Sequence, residues 1–274
     1  MRERQRHPAR RSSGQRQPAQ GGDQTGRSFR RKPPGQRHDG LVLLYGWHTV
    51  TAALGNPQRR IRRLLATENA ARRLGSDDLE LRIRPEIVRP DVIAGQLAAD
   101  AVHQGLLAEA DPLPAAVIDE IAADGIVLVL DQITDPHNVG AILRSAAAFA
   151  ATAVVTTARH SPQASGALAK AASGALEYVP IVEVGNLARG LAELKAAGFL
   201  LVGLDSSGET DLADATLRAP LALVIGAEGK GLRQLTRTTC DQIARLSVPG
   251  RIKSLNVSNA TALALYVANR ALGR

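Results

Sequence analysis

From Ile126 onward the chain alternates short apolar runs with stretches of helical periodicity, and no other feature limits the fold as much. The runs are Ile126–Leu130, Ala153–Thr156, Val179–Val182, Phe199–Leu204, Leu221–Ile225 and Ile243–Val248. Helical stretches cover Val139–Ala148, Gln163–Ala172, Leu187–Ala196 and Leu232–Thr239, and a last one covers Val257 to Leu272. Strands that are apolar at every position, and not at every second one, are buried on both faces. That is the condition of a parallel sheet covered by helices. Residues 126–274 are therefore expected to form a doubly wound α/β domain, with ligands outside the carboxyl ends of its strands.

A smaller α/β unit is expected over residues 41–112. Trp47–Leu54, Glu68–Leu74 and Pro90–Asp100 read as helices, the last with Pro in its first turn. Ile61–Thr67, Leu81–Ile83 and Gly105–Ala110 read as strands. Asp111, Pro112 and Pro114 break the pattern, so residues 113–125 read as a linker. Arg59, Arg60, Arg62, Arg63, Arg72 and Arg73 cluster in this unit, as a solvated face or as an RNA-facing patch.

Residues 1–40 hold eleven basic and three acidic residues, which is the whole net charge of +8; the remaining 234 residues carry 23 of each sign. The segment is rich in Arg, Gln, Gly and Pro and poor in large apolar residues, so burial cannot offset the entropy of ordering it. It reads as a disordered basic arm, either a plain solvated tail or a non-specific attractor of phosphate. No apolar stretch follows the charges as in a signal peptide. Stretches such as Ser145 to Ala158 are too short and too rich in Ala and Thr to span a bilayer, and no membrane partner is expected. The single cysteine, Cys240, excludes an intrachain disulfide and a multi-cysteine metal site. Three Phe, three Tyr and one Trp argue against base recognition on aromatic platforms.

Three segments follow predicted strands and carry chemistry. The first runs from Asp131 through His137, Asn138 and Gly140 to Arg144. Asn138 stands where a helix N-cap belongs, and Arg144 lies under two turns further on, near the same end of the sheet. Alone, this is an ordinary cap followed by a surface Arg, or a guanidinium placed to clamp a phosphate. A lone loop His such as His137 is more often incidental. The second segment, Gly226-Ala-Glu228-Gly229-Lys-Gly231-Leu232, opens a helix with glycines. It is no P-loop, because Gly231 follows Lys230 where Ser or Thr is required, and its spacing is not the dinucleotide fingerprint. Glu228 would repel a pyrophosphate; a cofactor with a positive centre and no phosphate, such as S-adenosylmethionine, suits the loop better. A turn that merely packs helix on sheet is the alternative. The third, Val248 to Ala260, brings Ser254, Asn256, Ser258 and Asn259 to the start of the last helix, where Ser254 or Asn256 can cap it. An N-terminus with uncommitted polar groups is also a ready ligand site.

In this order the three segments resemble the SpoU (TrmH-type) family of RNA ribose 2′-O-methyltransferases of the SPOUT superfamily, over about residues 41–274. Tyr45-Gly46-Trp47-His48-Thr-Val50 and Val102-His103-Gln104-Gly105 resemble hallmarks of the family's ribosomal-protein-like substrate-binding domain. The resemblance implies a trefoil-knotted methyltransferase domain over residues 126–274, S-adenosylmethionine as cofactor, and a homodimer through the knot region. It further implies a guanosine of large-subunit 23S ribosomal RNA as substrate, no metal, and a cytoplasmic location. A tRNA 2′-O-methyltransferase of the same fold and a non-catalytic ribosome-assembly RNA-binding protein are the alternatives. The family's functional residues fall on Asn138, Arg144, Glu228, Ser254 and Asn256, and its cofactor contacts on Gly226, Gly231, Val248 and Leu255, largely through backbone. The loop Pro249–Ser254 is shorter than the family's usual one and lacks its Met after Pro. Arg144 is the family's candidate for activating the 2′-hydroxyl, although an Arg is a poor base.

Overall fold

The structure is a computed structural model that describes residues 40–76, 81–158, 166–252 and 254–274. The expected basic arm, apart from Gly40, lies outside the described residues, as does the start of the helix expected over Gln163–Ala172. The described residues belong to one compact unit holding two sheets.

The first sheet is built from β1 (Val42–Tyr45), β2 (Ile61–Ala66), β3 (Glu86–Ile87) and β4 (Leu106–Ala110) in the order β1-β4-β2-β3. Strand β4 enters antiparallel between β1 and β2, so Val42 and Ile61 both register with Ala110. Helices α1 (Trp47–Gly55) and α2 (Glu68–Ser76) supply Val50, Ala53, Leu54, Ala70 and Leu74 to one face. Helix α3 (Pro90–Ala94) closes the other face with Ile93 against Tyr45, Leu65 and Leu107.

The second sheet has the order β7-β6-β5-β10-β8-β11-β9, parallel at every pairing. Its elements in chain order are β5 (Ile126–Asp131), α4 (Pro136–Ala148), β6 (Ala153–Thr157), α5 (Gly166–Ala172), β7 (Ile181–Val184) and α6 (Leu187–Ala196). Then come β8 (Leu200–Leu204), β9 (Thr210–Asp211), β10 (Leu221–Gly226), α7 (Gln234–Thr239), β11 (Gln242–Arg245) and α8 (Val257–Ala271). Leu128, Leu130, Leu223 and Ile225 face the layer of α4, α5 and α8, whereas Val127, Val129, Ala222 and Val224 face α6. Burial on both faces is the reason these strands are apolar throughout. Gly140 lets α4 and α5 close together: a Cβ there would lie 2.9 Å from the backbone of Ala171 and Ala172.

Strand β11 lies beyond β8, yet α8 packs on α4, which follows β5 on the other side of β10. The chain from β11 to α8 therefore crosses the carboxyl ends of β8 and β10.

Several expectations need correction. Helix α4 starts at Pro136, and its N-cap is Asp135, not Asn138. Pro at the first helical position needs no N–H partner, and the Asp135 carboxylate accepts the His137 N–H at 3.0 Å. Leu81–Ile83 is not a strand: both side chains pack on the small unit's core from irregular chain. The helix at Pro90 stops at Ala94, where Gly95 caps it. Pro180 has no N–H, and β7 begins after it, at Ile181. Strand β11 ends at Arg245, so Leu246 and Val248 are apolar because they wall a cavity rather than pair in the sheet. Helix α7 starts at Gln234, and β1, β3 and β9 are strands that the sequence reading did not expect.

The arginine cluster divides. Arg59 is buried and meets Glu177, just after α5, through Nε and Nη2, the latter at 2.7 Å. Asn56 Nδ2 donates to the same carboxylate at 2.8 Å. Arg62 is paired with Asp111, and Arg63 with Glu86 and Glu109. The Arg62 guanidinium holds the Asp111 carboxyl below its ordinary range. Half of the cluster is thus committed to carboxylates of the chain itself. Arg59–Glu177 ties the small sheet to the large one. Thr49 adds a bond from its hydroxyl to Ala169 O, 3.2 Å.

Candidate functional site

Three adjacent strands, β10, β8 and β11, deliver three loops to one end of the parallel sheet. Together they wall a cavity of about 320 Å³. The loop after β8 brings Asp205 and Ser206, the glycine loop after β10 brings Gly226 to Gly229 and Gly231, and the segment after β11 brings Leu246, Val248, Ser254 and Leu255. Val257 and Ala260 of α8 complete the wall.

The glycine loop is a tight turn in which the Gly231 N–H donates to Ala227 O at 2.9 Å. Gly229 and Gly231 have φ of 75° and 62°, the left-handed region in which a side chain is strained. At Gly226 a Cβ would lie 2.6 Å from the Leu232 nitrogen, and at Gly231 one would lie 2.8 Å from Asp205 Oδ2. Glycines here let backbone and the neighbouring loop meet. Glu228 is exposed at the loop's tip. Just past the loop, Arg233 is fastened to the buried Asp131 at the end of β5: its N–H donates at 3.0 Å and its Nε at 2.7 Å. That bond sets the exit of the glycine loop against the start of the first motif.

Asp205 is braced from outside the cavity. Ser207 donates to it through N and Oγ, and Arg237 pairs with it at 3.2 Å. Burial works against its ionisation, but these donors outweigh it and hold the carboxyl below its ordinary range. Cys240, behind the sheet end, is different: burial foremost, with the Asp241 carboxylate adding to it, pushes its thiol up to about 12. It is no nucleophile.

The expected residues fall into two groups. Gly226, Glu228, Gly231, Val248, Ser254 and Leu255 all line the cavity. Asn138 and Arg144 stand on α4, outside that lining, with Arg144 exposed. Asn256 joins the groups: it caps α8 by accepting the Ser258 N–H at 2.9 Å, and its Nδ2 donates to Asn138 Oδ1 at 3.1 Å. His137 is exposed, and its backbone rather than its ring is engaged. The sequence reading missed the Asp205 loop. Its signal was there, since Asp205-Ser-Ser-Gly208 directly follows an apolar run as the other three motifs do.

At the β1 edge of the small sheet, which packs against α5, the two hallmark segments meet. The Trp47 N–H donates to Gln104 Oε1 at 2.9 Å, and the Gly46 N–H to Leu106 O at 3.3 Å. Lys170 of α5 donates to the same Gln104 oxygen at 3.3 Å, and burial lowers its pKa.

Among the described residues no helix is long and apolar enough to cross a membrane.

Comparison with known proteins gives a consistent result. Residues 125–266 match the SpoU rRNA Methylase family, and residues 43–116 match the RNA 2′-O ribose methyltransferase substrate binding family. A 23S rRNA (guanosine-2′-O-)-methyltransferase RlmB from Ralstonia nicotianae is 40% identical, covering 83% of this chain and 95% of its own. The protein of the same name from Pseudomonas putida is 35% identical, over 84% and 96%. Among solved structures, the SpoU methyltransferase AviRb from Streptomyces viridochromogenes, in complex with the cofactor AdoMet, superposes with a TM-score of 0.71. It is 27% identical and covers 85% of this chain and 90% of its own.

Proposed function

The chain belongs to the SpoU rRNA methylase family, and on that premise we infer that it transfers a methyl group from S-adenosylmethionine to a ribose 2′-hydroxyl of RNA, at a guanosine of 23S ribosomal RNA. The observation that carries this reading is the cavity at the ends of β10, β8 and β11. Its described lining combines apolar walls and backbone groups with the carboxylates Asp205 and Glu228, without a lysine or arginine. Such a donor set fits a nucleoside carrying a positive sulfonium and disfavours a polyphosphate.

S-adenosylmethionine, when bound, supplies a methyl carbon already activated by its sulfonium. Gly226, Gly231, Val248 and Leu255 hold it, the glycines by offering bare backbone. The protein's remaining work is to align the ribose hydroxyl and let its proton leave. A guanidinium stays protonated in proteins, so Arg144 acts as a fork on the substrate phosphate. The proton passes to a phosphate oxygen or to water on the open face where Arg144 lies. Asn138 and Asn256, bonded to each other, keep α4 in place beside the cavity, and Glu228 and Ser254 line the entry of the ribose.

The crossing of the chain between β11 and α8 is read as the family's trefoil knot. Asn259, Leu263, Tyr266 and Arg270 form one exposed strip on α8, with Leu263 48% and Tyr266 53% exposed. We assign that strip, beside Leu255, to pairing of two copies. The small unit, residues 41–112, serves as the RNA-binding part, the basic arm adds non-specific phosphate attraction, and the enzyme works in the cytoplasm with its RNA.

The deciding experiment maps 2′-O-methylation in ribosomal and transfer RNA of a deletion strain. One guanosine of 23S RNA is expected to lose its methyl group and regain it on complementation. Loss from a transfer RNA instead would change the substrate, and loss from neither would leave a non-catalytic protein.

A further inference from the structure

We propose that the outer face of the Arg73 guanidinium, stacked on Trp47, is a platform for an unpaired nucleobase of the RNA substrate. The inference rests on the reading of this chain as an RNA methyltransferase and adds to it a specific contact in the small unit.

The Arg73 guanidinium carbon lies 3.7 Å from the centroid of the Trp47 ring. Trp47 is otherwise packed into the core of the small sheet and is only 6% exposed, so the indole is a fixed base for the stack. Arg73 itself is exposed, in the last turn of α2. Its neighbours in sequence contrast with it: Arg59, Arg62 and Arg63 are occupied by carboxylates, and Arg72 donates to Asn69. Among the described residues no carboxylate pairs with Arg73. A flat cation held by an aromatic ring on one side presents an equal flat face on the other. Stacking on guanidinium planes is one way proteins hold bases of unpaired RNA. The chain's poverty in aromatics does not oppose this, because the surface offered to the base is the guanidinium.

The position suits the reaction. The Trp47 N–H is bonded to Gln104, which also accepts from Lys170 of α5. The next residue of α5, Ala171, packs on Gly140 of α4, the helix that carries Asn138 and Arg144. A base on Arg73 therefore lies on the side of the small unit that is docked to the catalytic helices. Lys170, with the exposed His48 of α1, supplies donors for the flanking phosphates.

Trp47 is the chain's single tryptophan, so its emission reports on this stack alone. The test uses the full chain and unmodified 23S ribosomal RNA transcribed in vitro. In the wild type, RNA addition should change Trp47 emission. Arg73→Lys keeps the charge at the helix end, and with it the fold and phosphate attraction, but has no plane to stack. It should raise KM for RNA roughly 2- to 30-fold, the range of a cation–π contact, with kcat and cofactor affinity unchanged. It should also abolish the emission change. Equal KM for Arg73→Lys and wild type would overturn the platform and leave a phosphate contact. A raised KM with the emission change intact would overturn it too, as would a fall in kcat that matches a loss of thermal stability. Failure of the wild type to methylate any RNA would instead strike the function itself.

Discussion

The side-chain amide of Asn256 donates to the side-chain oxygen of Asn138 at 3.1 Å, across 118 residues of sequence. One residue opens the last helix and the other stands in the first turn of α4, so the bond closes the catalytic end of the sheet after the chain has crossed it. Asn256 also caps α8, whereas Asn138 caps nothing. The two substitutions should therefore differ. Asn256→Ala should lose about 1 kcal/mol of stability with the cap and also lose activity. Asn138→Ala should lose activity with little change in stability. Urea unfolding beside single-turnover methyl transfer separates the two effects.

Arg144→Ala should abolish methyl transfer while leaving cofactor affinity nearly intact, because Arg144 is exposed on α4 and does not line the cavity. The loss should exceed the roughly 10²- to 10⁴-fold that acid–base catalysis alone supplies, since phosphate orientation is lost with it. Arg144→Lys should rescue poorly, lacking the fork. Labelled methyl transfer to an RNA fragment measures both. Near-wild-type turnover in Arg144→Ala would remove the residue from the mechanism.

Gly226→Ala should weaken S-adenosylmethionine binding about tenfold or more, as a methyl forced into packed space costs roughly 1–3 kcal/mol. Here the obstruction is the backbone at Gly231 and Leu232, which cannot swing aside as a side chain would. The wild type should bind the cofactor equally well with chelator present. Among the described residues no cluster of three or more His, Cys, Asp or Glu is placed to hold a metal. Calorimetry decides both points, and a requirement for a divalent ion would contradict the second.

Glu177→Gln should destabilise the fold by about 3–5 kcal/mol, the usual result of leaving one member of a buried ion pair alone. Arg59 would keep its charge at 4% side-chain exposure. The double variant Arg59→Met/Glu177→Leu should recover much of the loss, because it leaves no unpaired charge. Chemical unfolding of the three proteins is the measurement. Equal losses in single and double variants would show that packing, and not charge, dominates this junction.

Cys240 should resist alkylation at neutral pH, and it should make stability fall in alkali. Its thiol is pushed up to about 12 in the folded chain, against about 8.5 when unfolded. A group raised on folding contributes stability fully below its unfolded value and loses it as pH rises toward the folded one. The decline should begin near pH 9 and be smaller in Cys240→Ala, where groups such as Tyr45, whose phenol is also pushed up by burial, still contribute. Mass spectrometry after iodoacetamide treatment checks the first expectation, and thermal unfolding across alkaline pH the second.

Periodicity alone determined the layered α/β architecture. Strands such as Leu221–Gly226 are buried on both faces, so every residue must be apolar, and that demand is written locally. The glycines of the second motif were equally legible, because a tight turn restricts residue type at the turn itself. Contacts between distant segments were not. Whether Arg59 faced solvent, RNA or Glu177 depended on how α5 docks on the small sheet, and an arginine looks the same in all three settings. Leu246 and Val248 read as strand residues because a cavity wall and a sheet interior ask for the same apolarity. Asp135 and Pro136 mark the start of α4 locally, through the bond to His137, but only the tertiary structure brought Asn138 to Asn256. It did so by carrying the chain across the ends of β8 and β10, a path that long-range packing sets.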